Sequence, residues 1–207
     1  MKKKRNEVIA AYGERKDFLT AFNPDTQQLY CKHEDLCFFA DVPSLALCNT
    51  VYGPNTAAMF LVVQLNDLSE YAGVKNKLVD KALEQCACAI ANKYYYLKVS
   101  EILLFFKRFK EGRYGIFYGS VDPLVIMSSI PKFLQERATK LDERRRLYNN
   151  SGEVAGAITF EEYCRSKGER AEDSVLYRLL HPKTDKNKED ERKRNTEQKN
   201  EVKRNLT

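Results

Sequence analysis

The apolar and polar positions along the chain follow helical spacing over most of its length. The clearest segment is 74–97, where apolar side chains recur every three or four positions, as in Val79, Leu83, Cys86, Ile90 and Tyr94. The segment 54–73 contains the run AAMFLVVQL, which predicts a helix that is apolar on every side and runs through a core. This pattern predicts a mainly α protein.

Capping and turn residues predict where the helices after residue 97 begin and end. Ser100 is the expected N-cap of the segment EILLFFKRFKE, and Gly112 suits the left-handed position that ends a helix. Asp122 followed by Pro123 predicts the start of the longest helix, and Thr159 with Glu162 predicts a capping box at the start of a later short helix. Pro131 lies inside that helix, where it removes one backbone hydrogen bond.

Changes in composition divide the chain into five expected parts. Pro, Gly and Asn mark the breaks, and the last part has only Val202 and Leu206 as aliphatic residues, which is too few for a core. The parts are a basic N-terminal arm (1–6), a compact multi-helix core domain (7–148), a linker (149–158), a pair of short helices (159–182) and a charged tail expected to be disordered (183–207). We expect the core to contain a short loop or hairpin rich in glycine and aromatic residues.

Positive charge is concentrated in the second half of the expected core. The chain has 35 basic and 29 acidic residues and a net charge of +6. Residues 96–149 alone contain 11 basic and 6 acidic side chains. A binding hypothesis therefore depends on where these cations lie and not on the total.

Cations alternate with aromatic side chains in the stretch LLFFKRFKEGRYGIFYG. Helical spacing predicts that Ile102, Phe105 and Phe109 form a buried stripe, so that the basic side chains between them project outward. Cations beside stacking rings are typical of nucleic-acid binding. We therefore predict that DNA or RNA phosphates are contacted by Lys107, Arg108, Lys110, Arg113, Arg144, Arg145 and Arg146, with Tyr114 and Tyr118 as stacking faces.

A second hypothesis belongs to a different class of function. The same aromatic and glycine-rich loop can dock a partner protein, in which case charge matters little and Tyr118→Ala abolishes binding. Both hypotheses describe a protein without enzymatic activity, because His33 and His181 are the only histidines and neither lies in a recognisable catalytic motif. Glycine spacing in GRYGIFYGS matches neither a P-loop nor a dinucleotide-binding loop, so we expect no cofactor.

The cysteines are expected to be reduced, and we predict no metal site. Cys31, His33 and Cys37 lack the C-x-x-C spacing that structural zinc favours, and Cys86 and Cys88 point in different directions on a helix. No apolar stretch is long enough to span a bilayer and no signal peptide is apparent, so we expect a cytoplasmic protein without membrane contact. The oligomeric state stays open.

One block of sequence carries a resemblance. The run YYYLKVSEILLFFKRFKEGRYGIFYGSVDPLVI, with QERATKLD behind it, resembles a family of uncharacterised bacterial proteins found near phage-like or conjugative mobile elements. The resemblance spans about residues 25–145. It implies a genomic setting and not a mechanism, because it carries no catalytic signature. The hypothesis of a replication-accessory or other nucleic-acid-associated module of a mobile element depends on the positive segment 96–149 and its aromatic side chains.

Overall fold

The computed structural model describes residues 2–151, 158–166, 168, 170 and 174. Within them the chain forms α-helices joined by short loops and one 3₁₀ turn (Pro24–Thr26). The prediction of a mainly α, compact multi-helix fold is confirmed. The helices are α1 (Lys2–Tyr12), α2 (Arg15–Ala21), α3 (Gln27–Cys31), α4 (Glu34–Phe39), α5 (Leu45–Tyr52), α6 (Thr56–Tyr71), α7 (Asp80–Lys93), α8 (Val99–Lys110), α9 (Pro123–Ser151) and α10 (Phe160–Ser166).

Helix α8 occupies the centre of the core. Every residue from Val99 to Phe106 is buried, and α3, α4 and α6 pack against the helix. Its rings join an aromatic cluster in which Phe105 contacts Phe133 of α9 with 5.8 Å between ring centroids. The predicted buried stripe on this helix is therefore confirmed, but burial extends all round it.

Helix α6 is less buried than its apolar sequence predicts. Met59 and Val63 are both more than two-fifths exposed, so the prediction of a helix apolar and covered on every side is wrong. The reason is that α6 packs against α5, α7 and α8, which leaves one of its faces uncovered within the described residues. An apolar run measures composition and not how many neighbours surround the helix.

The start of α8 also differs from the prediction. Lys98 and not Ser100 is the N-cap residue, and its backbone N–H donates to Oε2 of Glu101 at 2.9 Å. Ser100 lies inside the helix, where its hydroxyl donates to the carbonyl of Cys37 at 2.9 Å. A serine near a helix start caps it only if its neighbours leave the hydroxyl free, and here α4 takes that hydrogen bond instead.

Other capping predictions are confirmed. Gly112 ends α8 with φ of +79°, and Asp122 accepts from the N–H of Leu124 at 2.7 Å at the start of α9. Pro131 lies inside α9 as expected. At α10, Thr159 and Glu162 form the predicted reciprocal capping box, with bonds of 3.0 and 3.1 Å.

The ends of the expected domains are only partly covered by the structure. Helix α1 begins at Lys2, so the residues of the expected basic arm that are described belong to a helix. Helix α9 runs through the first three residues of the expected linker. The tail at 183–207 and nearly all of the second short helix lie outside the described residues. In the part of the chain described, none of the helices has an apolar stretch that could span a lipid bilayer.

Candidate interaction site at the aromatic and glycine-rich loop

Arg108, a central residue of the predicted phosphate-binding set, is buried. Its side chain is 5% exposed and lies between two carboxylates, with Nη2 at 2.8 Å from Oε1 of Glu34 and Nη1 at 2.7 Å from Oε2 of Glu136. Burial lowers the pKa of the guanidinium, but its interactions with Glu34 and Tyr114 together outweigh burial and the net shift is upward. The expectation that Arg108 projects outward is wrong, because α8 is covered where α4 and α9 converge on it.

Lys107 and Lys110 also make ion pairs within the chain. Lys107 Nζ lies 2.8 Å from Oε1 of Glu111 one turn along the helix. Lys110 pairs with Asp67 of α6, and its side chain is only 12% exposed. The ammonium group of Lys110 also lies over the ring of Tyr71, 5.4 Å from the centroid. Lys110 therefore holds α8 to α6 and does not project into solvent as expected, whereas the Lys107 pair lies within one turn of α8 and is partly exposed.

Glu136 of α9 connects the end of α8 to the loop that follows it. It accepts from Arg108 at 2.7 Å, from Nε of Arg113 at 2.9 Å and from the hydroxyl of Tyr114 at 2.7 Å. Tyr114 was expected to offer a stacking face, but its ring is buried and stacks on Phe105 at 5.5 Å. Burial and then the hydrogen bond to Glu136 raise the pKa of Tyr114 well above its usual value.

The three predicted arginines near the end of α9 have different surroundings. The Arg144 guanidinium packs over the ring of Phe39, 4.2 Å from its centroid. Arg145 is exposed and lies 3.9 Å from Asp142, and Arg146 is exposed with no ion pair among the described residues. Two of the three are therefore on the surface.

The loop between α8 and α9 exposes apolar side chains. Tyr118 is 83% exposed and Ile116 is 57% exposed, and beside them Tyr71 at the end of α6 is 62% exposed. We call these three residues the loop surface. Phe117 is half-buried because its ring stacks on Phe109 at 5.2 Å.

A pocket of about 250 Å³ opens at the loop surface. Most of its lining side chains are apolar, polar atoms of the lining residues also face it, and Lys110 is the charged residue among them. Because Lys110 already pairs with Asp67, the pocket offers little unpaired charge. The lining residues are Leu68, Tyr71, Ala72, Phe109, Lys110, Gly112, Gly115, Ile116 and Phe117.

Both ends of the loop are held to the core. At its start, Gly112 and Gly115 have φ of +79° and +155°, which let the chain turn back so that Tyr114 reaches the core. At its end, the N–H of Val121 donates to the carbonyl of Asn76 at 3.0 Å. The exposed side chains at 116 and 118 are thus presented from a short span between two anchored points.

The predicted orientations of the cysteines are confirmed where the structure describes them. Cys86 is buried, and burial raises its pKa to about 11, whereas Cys88 two residues later is exposed. His33 Nδ1 lies 3.3 Å from the hydroxyl of Tyr163. No cluster of three or more His, Cys, Asp or Glu side chains suited to a metal ion occurs among the described residues.

The pocket was not predicted because its walls come from distant parts of the sequence. Leu68 and Tyr71 belong to α6, while Phe109 and Ile116 lie about 40 residues later. Local sequence pattern indicates Tyr118 and the loop, but nothing in the helical pattern of α6 shows that this helix packs beside them. Glu136 was missed for the same reason.

The structure defines a helical protein whose candidate site is an apolar surface pocket bordered by exposed rings. Residues 79–174 of the chain match a family of unknown function, DUF6633, over a span that includes the whole loop. No curated protein and no solved structure is significantly similar to the chain. The family match does not concern mobile elements, so that expectation stays a prediction.

Proposed function

We propose that this protein is a protein-interaction adaptor that binds a partner through the loop surface and its pocket. The observation that carries the proposal is the exposure of Ile116 and Tyr71 in the lining of a mostly apolar pocket, with Tyr118 exposed two residues further along the same loop. Exposed apolar clusters rimmed by polar residues mark interaction sites, and tyrosine is among the residues that contribute most to binding.

The size of the pocket supports a side-chain anchor as its occupant. Its volume of about 250 Å³ lies below the roughly 300–1,000 Å³ typical of small-molecule sites. Leu68, Ala72 and Phe109 provide apolar walls that suit an aliphatic or aromatic side chain. A partner side chain of that kind fits the pocket, while Tyr118 contacts the neighbouring residues of the partner.

Anchoring of the loop also supports docking. Tyr114 holds one end through Glu136, and Asn76 holds the other through Val121. A loop that is already held in place loses less conformational entropy on binding than a free one, so more of the contact energy becomes affinity.

The nucleic-acid hypothesis stays a prediction with weaker support. Arg108 would have to leave two carboxylates to contact a phosphate, and Lys110 would have to leave Asp67. Of the predicted residues, Arg146 and Tyr118 are exposed and free of such pairs among the described residues. DNA or RNA binding through phosphates should weaken steeply between about 50 and 200 mM salt.

Peptide selection tests the adaptor proposal directly. The full chain is screened against a random peptide library, and affinities of enriched peptides are measured by calorimetry. Tyr118→Ala should weaken binding at least about tenfold, since truncating a hot-spot tyrosine costs about 2 kcal/mol or more and tenfold corresponds to about 1.4 kcal/mol. Tyr95→Ala is the matched control because Tyr95 is a similarly exposed tyrosine before α8. Lys107→Glu should be tolerated.

Two outcomes would contradict the proposal. One is that no peptide is enriched. The other is that enriched peptides bind the Tyr118→Ala and Tyr95→Ala proteins equally well, which would place them elsewhere on the surface. Salt-dependent binding of labelled DNA or RNA, together with either of these two results, would favour the nucleic-acid hypothesis instead.

A further inference from the structure

A second groove lies between α2 and α6, on the face of α6 that its neighbours leave uncovered. It encloses about 410 Å³ and opens widely to solvent. Its lining residues, which we call the α2–α6 groove, are Arg15, Lys16, Leu19, Thr20, Asn23 and Met59. None of them belongs to the loop surface or its pocket.

The α2–α6 groove has unpaired positive charge. Arg15 and Lys16 are exposed, and neither forms an ion pair with any described residue. Acidic residues flank the two cations in the chain: Glu14 is the N-cap of α2, and Asp17, whose carboxylate accepts from the N–H of Glu14, follows Lys16, but neither lines the groove. The lining therefore contains two cations and no carboxylate.

Apolar side chains continue this surface along α6. Leu19 is half-buried in the groove, and Met59 is 43% exposed at its wall. Val63 is also exposed and lies one turn further along the same face, at the i, i+4 spacing. A cationic edge thus borders an apolar strip.

Polar groups of the groove are used within the chain. The hydroxyl of Thr20 donates to the carbonyl of Lys16 at 2.9 Å, and Oδ1 of Asn23 accepts from the N–H of Thr26 at 3.3 Å. A small-molecule site needs convergent polar groups that fix the orientation of the ligand. This groove offers instead an open strip with charge at one side, which suits a segment of another protein.

The groove is separate from the loop surface. Met59 and Tyr71 are twelve residues apart on α6, which corresponds to about 18 Å along the helix axis and about 120° around it. One short partner segment in the loop pocket would not reach both places.

We propose that the α2–α6 groove docks an acidic amphipathic segment of a partner protein. Its apolar side chains pack on Leu19, Met59 and Val63, and its carboxylates face Arg15 and Lys16. The apolar contacts supply affinity, while the exposed charge pairs select an acidic partner and speed its association. This goes beyond the proposed function and does not depend on it, because it concerns a different surface.

Methionine methyl groups provide a direct test. The chain has three methionines, of which Met59 lies in the groove and Met127 lies on α9. The full chain is labelled with ¹³C at the methionine methyls and titrated with a synthetic amphipathic peptide of Leu and Glu. We expect a saturable shift of the Met59 signal and no shift of the Met127 signal, which also reports that the fold is intact.

A charge-matched pair of variants tests the role of the cations. The double variant Arg15→Glu and Lys16→Glu should bind the peptide at least about tenfold more weakly, because attraction becomes repulsion. The control Lys81→Glu and Arg146→Glu changes the net charge equally at exposed positions away from the groove. It should retain the affinity of the unmodified protein.

Three results would overturn the proposal. The first is that the Leu and Glu peptide does not shift the Met59 signal. The second is that a Leu and Lys peptide of the same pattern shifts this signal equally. The third is that oligothymidylate causes the same shift. The second result would mean that the groove binds any apolar helix, and the third that it responds to polyanions and not to an acidic protein segment.

Discussion

Glu101 is a carboxylate with no exposed surface near the start of α8. It accepts from the backbone N–H of Lys98 at 2.9 Å and from Nε of Arg137 at 2.6 Å. Lys98 in turn donates from Nζ to the carbonyls of Phe38 and Ala40. Burial raises the pKa of Glu101, an effect that Arg137 offsets only in part. Glu101 and Lys98 together connect the start of α8 to α9 and α4, at the cost of removing charged groups from water.

Replacing Glu101 with Gln should change how stability depends on pH. A carboxyl whose pKa is higher in the folded than in the unfolded chain adds stability below the unfolded value of about 4.3, and this contribution is lost as pH rises through the folded value. The free energy of unfolding of the unmodified protein minus that of Glu101→Gln should therefore fall as pH rises from about 4.3 through the raised pKa of the folded state. Urea unfolding of both proteins measures it.

An exposed carboxylate serves as the control for this experiment. Glu84 lies on the solvent side of α7, and Glu84→Gln removes one negative charge without touching a buried contact. The free energy of unfolding of the unmodified protein minus that of Glu84→Gln should vary little over the same pH range. A difference for Glu101→Gln that grows with pH would contradict the assignment of burial as the dominant cause.

The loop between α8 and α9 is an element whose shape depends on its glycines. Gly112 has φ of +79° and open space where a Cβ would lie. Gly115 has φ of +155°, and a Cβ there would lie 3.5 Å from Cγ1 of Val125. Its conformation is less accessible to other residues than the left-handed region of Gly112.

Alanine at these two positions should destabilise the protein unequally. Gly112→Ala should cost about 1 kcal/mol, because the left-handed region is disfavoured for residues with a Cβ. Gly115→Ala should cost more and should also weaken binding of the selected peptides, since it displaces Ile116. Thermal unfolding measures the first effect and calorimetry the second. Ser120→Ala, at an exposed loop position, should change neither, and equal costs for both glycines would contradict this account of the loop.

In the whole molecule, Glu136 holds α9 against the end of α8. Arg108 joins it to Glu34 of α4, and Arg113 and Tyr114 join it to the loop. Contacts between the sequence-distant elements α4, α8 and α9 therefore meet at one carboxylate. The same residue fixes the position from which the loop surface is presented.

Glu136→Ala should destabilise the fold by about 2–4 kcal/mol, because Arg108 would stay buried with one carboxylate fewer and the Tyr114 hydroxyl would lose its acceptor. Glu143→Ala removes an exposed ion pair with Lys140 on the same helix and should change stability by less than about 0.5 kcal/mol. Urea unfolding measures the free energy of unfolding of both variants. Their m-values should equal that of the unmodified protein, so that the change is one of stability. Equal effects would mean that the cluster around Glu136 contributes no more than a surface pair.

Local features of the sequence were sufficient to predict the helical class, the end of α8 at Gly112, the start of α9 at Pro123 and the capping box at Thr159. Each of these depends on hydrogen bonds or dihedral angles within a few residues, so neighbouring letters carry the information. The buried stripe of Phe105 and Phe109 was predictable because helical periodicity is also local.

Tertiary structure alone decided which side chains are buried and which are exposed around this framework. Arg108 and Tyr114 are internal because α4 and α9 bring carboxylates to them, while Met59 is exposed because no described element covers that face of α6. Both candidate binding surfaces combine α6 with residues far from it in the chain. Periodicity specifies the face of a helix on which a residue lies, and only the packing of distant elements specifies what that face meets.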